Sequence, residues 1–253
     1  IPFFVTELSD SAKATAQILN AAGEEIQTVT ADSVVAGLNY LTWKLNEKNA
    51  ELPGAYVTDE TRRIPMLPGN YTVVIEYAGE TDTTQVKIIP DPRFEYQPEV
   101  DEALYALRKQ LDKSVASFTQ SLNQLAASDT TAENVLVQLE GADNQKYTDL
   151  RQQSKSIQEK IKSLNDLAKG KSPEKQVGAW QSFETTANSK ISDALQALRA
   201  RLHLPSSQDE ELVQQAEQLV NEFQSEVTEF YRGDWQNYRN AVTKSQLSIL
   251  SEE

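Results

Sequence analysis

Val86-Lys87-Ile88-Ile89-Pro90-Asp91-Pro92-Arg93 marks the change from one kind of sequence to another. Its first half is β-branched and closes an alternating run, as a strand with one buried face requires. Pro90 and Pro92 then end that strand, because proline has no N–H for the ladder and biases its predecessor towards extended backbone. Pro98 closes the linker, and beyond it apolar residues recur every three or four positions instead of every two. The sequence therefore predicts two parts of different class, all-β over residues 1–93 and all-α over 100–253, with a linker at 94–99. Proline and glycine follow the same division. Seven of the nine prolines precede Glu99 and five of the nine glycines lie at or before Gly79, so turn chemistry is concentrated in the first third.

Upstream of the linker, strands are predicted at residues 3–8, 14–19, 25–30, 38–45, 71–77 and 83–89. Tyr71, Val73, Ile75 and Tyr77 alternate against Thr72, Val74 and Glu76. Asn20-Ala21-Ala22-Gly23 has the composition of a tight hairpin turn, and Leu67-Pro68-Gly69-Asn70 turns the chain into the next strand. Six or seven strands at this spacing predict an antiparallel β-sandwich. Residues 46–65 fit neither strand nor helix, and loops of that length in compact domains are commonly functional. The plainer alternative is that this loop wraps a sheet edge with Leu52 and Tyr56 tucked in.

Downstream, Leu104, Leu107, Leu111, Val115, Phe118, Leu122, Leu125, Ala132, Leu136 and Leu139 form one stripe. Its phase survives Asp129, which predicts one long helix, although Thr130-Thr131-Ala132-Glu133 could instead form a capping box and restart it. Gly141-Ala142-Asp143-Asn144 is a stop. A second helix carries Tyr147, Leu150, Ile157, Ile161, Leu164 and Leu167, and ends at Gly170. A third carries Trp180, Phe183, Ala187, Ile191, Leu195, Leu198 and Leu202, and ends before Pro205. The fourth starts from a cap near Ser207 and carries Leu212, Ala216, Leu219, Phe223, Val227 and Phe230 towards Val242. Short connections favour antiparallel neighbours, so three to four long helices predict an up-and-down bundle. A helix of about forty residues is about 60 Å long, which makes the bundle elongated.

Charge excludes some partners. The net charge of −14 divides as −7 over residues 1–91 and −7 over the remainder, and neither part offers the basic stripe that phosphate neutralisation needs, so nucleic acid is not an expected partner. The absence of cysteine removes disulfides, thiolate nucleophiles and cysteine metal sites, but does not fix a compartment. No run approaches the roughly 18 apolar residues of a membrane span, so no membrane insertion is expected. Ile1-Pro2-Phe3-Phe4-Val5 is too short for a signal peptide and lacks a basic start. A chain that opens mid-strand without methionine reads as a piece of something longer.

Catalytic chemistry is thin. The single histidine, His203, sits where the third helix is ending, and a cation there complements the terminal carbonyls. Gly170-Lys171-Ser172 mimics the end of a phosphate-binding loop, but Asn165 stands where the first glycine must be and a helix precedes it. The acids mostly lie opposite the apolar stripes, as solvated faces do, so no catalytic, cofactor-binding or metal residue is assigned. Rings that could serve a binding face are Tyr40, Tyr56, Tyr77 and Tyr96. Trp43, alternating with Leu41 and Leu45, belongs to a core, and Trp235 and Tyr238 seal the bundle end after a shift of apolar phase near Gly233.

Three motifs in order carry a resemblance: Gly37-Leu38-Asn39-Tyr40-Leu41-Thr42-Trp43-Lys44-Leu45, Leu67-Pro68-Gly69-Asn70-Tyr71-Thr72-Val73, and the opening segment through Asp91-Pro92-Arg93. Together they resemble the C-terminal region of bacterial sortilin-like β-propeller proteins with Asp-box (BNR) repeats, commonly labelled glycosyl-hydrolase-like. There an Ig-like domain similar to that of the flagellar hook capping protein follows the propeller, and a long helical segment follows the Asp-Pro-Arg motif. Ser121-Leu122-Asn123-Gln124-Leu125 echoes that family's first long helix. The resemblance implies an Ig-like sandwich with Trp43 and Tyr71 in its core and Pro68-Gly69 in a turn. It also implies a non-catalytic accessory module whose partner is an upstream propeller of the same polypeptide, in the periplasm, at the outer membrane or secreted. No functional residue transfers. Two alternatives stay open: a carbohydrate-binding module using the loop at 46–65, and protein–protein contact or homodimerisation through the coiled-coil heptads from Leu104 to Leu139.

Overall fold

The computed structural model describes residues 1–9, 12–52, 63–93, 95–140, 146–170, 185–199 and 201–245. Six strands come first: β1 (Pro2–Val5), β2 (Thr15–Leu19), β3 (Glu25–Thr30), β4 (Gly37–Tyr40), β5 (Gly69–Tyr77) and β6 (Glu80–Ile88). They form two antiparallel sheets, a pair β1–β4 and a four-stranded sheet in the order β3-β2-β5-β6. Helices follow: α1 (Pro98–Glu140), α2 (Thr148–Lys169), α3 (Ala187–Arg199), α4 (Ser207–Phe230) and α5 (Gln236–Lys244), the last two joined through a π-helical turn, Tyr231–Trp235.

Alternation builds the core of the β part. Ala16 and Ile18 of β2 and Tyr71 and Val73 of β5 face inward, with Ile18 opposite Val73 across the ladder. Leu41 joins them, and Ile1 and Phe3 pack against the same cluster, so side chains carried by both sheets share one core. The β2–β3 hairpin turns where its sequence predicts. Asn20 Oδ1 accepts from the N–H groups of Ala22 and Glu24 at 2.9 and 3.0 Å, and Gly23 supplies the positive φ of 81°. The β5–β6 hairpin turns on Ala78 and Gly79, both at positive φ (53° and 85°), which is the type I′ geometry that fits strand twist.

Two strands are shorter than their patterns predict. β1 ends at Val5, and β4 ends at Tyr40, not Leu45. Beyond Leu41 the chain bends away, and Leu45 adopts a left-handed φ of 55° with its side chain 48% exposed. The segment predicted as a long loop is closed at its base, where Asn46 bridges Pro65, Glu47 N–H donates to Ile64 O, and Met66 N–H donates to Leu45 O. Leu52 is buried, and Tyr56 lies outside the described residues.

By contact, the chain forms two compact units. One takes the described residues of 1–49, 57–109 and 198–205, and the other those of 50–56, 110–197 and 206–253. In the first, the opening turns of α1 bury Val100, Leu104 and Leu107, and Arg108 Nη2 donates to Leu198 O at 2.7 Å. Burial lowers the Arg108 pKa, which the negative charge of Asp101 partly offsets.

In the second unit, α1 buries Leu111, Val115, Phe118, Leu122, Leu125, Ala132, Val135 and Leu139. Phe118 meets Phe223 of α4 edge to face at 5.3 Å, and truncating either fully buried ring to alanine costs about 3–5 kcal/mol. The helix is unbroken through Asp129. Thr130 and Thr131 donate to the carbonyls of Ala126 and Ala127, one turn back, instead of capping a new helix.

Several helix assignments shift by a residue. Val135, not Leu136, is buried, and Val213 and Val220 take the centre of the α4 stripe with Leu212 and Leu219 at its flanks. The cap of α4 is Ser206, whose side chain accepts from Asp209 N–H while Asp209 Oδ2 accepts from Ser206 N–H at 2.8 Å, a capping box. Leu167 and Leu202, expected inside, are exposed. Leu202 lies beyond the end of α3 at Arg199, while Trp180, Phe183 and the stop at 141–144 lie outside the described residues.

The π-turn has a cause in the sequence. The buried stripe Val213, Ala216, Val220, Phe223, Val227, Phe230 repeats every three and four residues, and in a straight helix Asp234 and Asn237 would come next. Tyr231, Trp235 and Tyr238 are instead the aromatic residues, one position later. One extra residue in the turn absorbs the slip, which is what a π-bulge does. Tyr231 and Trp235 contact Phe230 at 5.2 and 6.2 Å, and Trp235 contacts Tyr238 at 5.5 Å.

Candidate functional site

The β1–β4 pair sets the most conspicuous surface of the first unit. Its register places Pro2 opposite Tyr40 and Phe4 opposite Leu38. With Phe3, Val5, Asn39 and Leu41 directed inward, alternation turns these four residues outward. Phe4 is 70% exposed, Tyr40 68% and Leu38 55%, and none of the four carries a charge. Buried Asn39 fixes the bend that leads into β4. Its Oδ1 accepts from Val35 N–H at 2.9 Å, and its Nδ2 donates to Val35 O and Gly37 O at 2.7 and 3.0 Å. Gly37, at φ 100°, permits that bend. Apolar side chains paired across strands and left in water mark protein–protein contact more often than scattered exposed residues do.

The same unit holds a buried carboxylate. Glu47 is 2% exposed, and Lys109 Nζ of α1 lies 2.6 Å from its Oε2. Tyr105, one turn before Lys109, donates its hydroxyl to Oε1. Burial, then the bond to Glu47 and the negative charge beside it, push the Tyr105 phenol far above its ordinary range. Tyr71 is raised chiefly by burial and next by the charge of Glu47. This arrangement satisfies both carboxylate oxygens with protein donors, so it acts as a clamp between the base of the 46–65 segment and α1.

Tyr40 is the most exposed of the three proposed ring residues that are described; Tyr56 is not among them. Tyr77 is half-buried against the core and its hydroxyl accepts from Ser9 N–H at 2.9 Å. Tyr96 is 38% exposed just before α1. Among the described residues no ring contact joins these three. Trp43 packs edge-on to Tyr71 at 6.0 Å and donates its indole N–H to Asn46 O at 3.0 Å. His203 is exposed and stands past the end of α3, so the helix-terminal role expected of it falls to Arg108, which binds the Leu198 carbonyl. Gly170 caps α2, and Lys171 and Ser172 lie outside the described residues.

In the second unit, Tyr238 is 3% exposed and shares a hydrogen bond with Ser154 of α2 at 2.9 Å. Tyr231 shares one with Ser128 of α1 at the same distance. Burial raises the pKa of both phenols. Beside Tyr238, a groove of about 540 Å³ runs between α2 and the π-turn and α5, with Ile157, Tyr238 and Ala241 apolar and Glu159, Lys160, Asp234 and Asn237 polar. Neither the buried clamp nor this groove was legible in the sequence. The one signal was the slip of apolar phase near Gly233.

Among the described residues, no group of three or more His, Cys, Asp or Glu side chains is placed to hold a metal ion, and no helix is long and apolar enough to cross a membrane. Compared with known proteins, the chain matches no family model, no curated protein and no solved structure.

Proposed function

We propose that this chain is a non-catalytic accessory module of a larger bacterial β-propeller protein of the cell envelope, and that it packs against the propeller of the same polypeptide. In this reading it is an Ig-like β-sandwich followed by an elongated up-and-down helical bundle. The observation that carries it is the uncharged outer face of Phe4, Leu38 and Tyr40, each more than half exposed. A chain of net charge −14 resists close approach of another acidic surface, and a face without charge is where a neighbour packs with no ion to desolvate. The Ig-like assignment is supported by the two sheets sharing one core and by Tyr71, whose hydroxyl donates to Leu67 O at 2.6 Å. That backward bond has the form of the tyrosine corner of such sandwiches. Copurification of this chain with the propeller encoded in its own reading frame tests the proposal. Association is expected, abolished by Phe4→Glu and retained by Glu80→Lys on β6. No association, or association indifferent to Phe4→Glu, overturns it.

A further inference from the structure

We propose that the groove between α2 and α5 binds a neutral polyhydroxylated ligand, a short oligosaccharide. The inference does not rest on the propeller reading, because it concerns a different unit and a different face. Three observations converge on it.

The first is the π-turn. In a straight α4 the heptad stripe would place Asp234 and Asn237 on the buried side, and the extra residue moves both to the groove rim while Tyr238 takes the buried position. π-bulges are rare and recur at functional sites, and this one positions two polar side chains facing α2.

The second is size. The groove of about 540 Å³ continues past Gln153 and Ala241 into one of about 470 Å³ that reaches Tyr147 and Lys244. Each falls within the range of small-ligand sites.

The third is the chemistry of the lining. Both walls are helical, so their backbone N–H and C=O groups are spent on the helix, and an extended peptide finds no ladder to join. What remains are side-chain carboxylates, amides and hydroxyls, which accept from and donate to vicinal hydroxyl pairs. Charge cancels along the groove, with Asp149, Glu159 and Asp234 against Lys146, Lys160 and Lys244, so neither an anion nor a cation is selected. The ring of Tyr238 closes the floor, its hydroxyl already engaged by Ser154.

The test is a titration of the whole isotope-labelled chain with cellotriose, maltotriose, mannotriose and N-acetylated chitotriose, followed by NMR of its backbone amides. At least one sugar is expected to shift amides of 153–163 and 234–241, with a dissociation constant of about 1 mM or tighter. Asp234→Ala and Asn237→Ala, both at exposed positions, should each weaken binding about tenfold. Gln224→Ala, elsewhere on α4, should leave it unchanged. If no trisaccharide shifts those amides, or if the two rim variants bind as the parent does, the assignment is wrong.

Discussion

Replacing Lys109 by methionine isolates the clamp on Glu47. The variant keeps the bulk of the lysine stem but strips the ammonium from 2.6 Å beside a carboxylate whose side chain is 3% exposed. Removing one partner of a fully buried pair costs about 3–5 kcal/mol, because the other charge is left without compensation. Here the Lys109 side chain is 38% exposed and Tyr105 still donates to Glu47, so water and the phenol recover part of that, leaving about 2 kcal/mol. Glu47→Gln should cost less, about 1 kcal/mol, since the amide oxygen still accepts from Tyr105 and the freed ammonium reaches solvent. In the Glu47→Gln background Lys109→Met should then be nearly neutral, a coupling of about 1–2 kcal/mol. A chain of two compact units need not unfold in one step, so local hydrogen exchange is the suitable assay. The reporters are the amides of Glu47, Lys48 and Met66, which donate to Ile64, Ile26 and Leu45 at 3.0, 2.8 and 3.0 Å. They should exchange about 30-fold faster in Lys109→Met, as about 2 kcal/mol requires. Unchanged exchange at these amides, or an equal effect of Lys109→Met with and without Glu47, would refute the clamp.

Three further outcomes follow from the geometry. Tyr71, Tyr105, Tyr231 and Tyr238 are all held above the ordinary phenol value of 10.0, so the folded state binds their protons more tightly than the unfolded chain does. The stability they contribute is complete below that pH and lost as pH rises through their folded values; tyrosinate absorbance should therefore rise late and together with unfolding, and Tyr105→Phe should soften the alkaline loss. Ala78→Asn should stabilise the β5–β6 hairpin by about 0.5–1 kcal/mol in thermal or urea unfolding, because asparagine tolerates the left-handed backbone that alanine occupies at φ 53°. Gly233→Ala should stabilise by a similar amount, about 0.5–1 kcal/mol, since a Cβ there meets nothing within 4 Å; destabilisation would mean that the π-turn needs the glycine backbone.

Periodicity made the order of elements legible. The six strand runs and the α1 stripe are local patterns, and each appears in the structure, the strand ends displaced by up to three residues except at β4, which stops five residues early. Flanking residues were confused with central ones where two apolar residues adjoin, as at Val135 and Leu136 or Leu212 and Val213, because a pattern fixes the width of a stripe better than its midline. The clamp was hidden for a different reason. Glu47 lies in a segment without periodicity, and its partners Tyr105 and Lys109 stand 58 and 62 positions away on a helix face that reads as ordinary solvated surface. Only folding reveals that this acid is buried.

The outer face of β1 and β4 shows most clearly why a site resists being read from sequence. Alternation tells which residues share a face, and it correctly separates Phe4 from Phe3 and Leu38 and Tyr40 from Asn39 and Leu41. It assigns the buried face only when the other face is polar, and here the contrast runs the wrong way at Asn39. That amide is buried at 6% exposure because the turn at Val35 and Gly37 satisfies it, while its apolar neighbours on both sides stand in water. The inward asparagine is explained by its hydrogen bonds; among the described residues the outward Phe4, Leu38 and Tyr40 have no such account, and the packed neighbour proposed above would supply one.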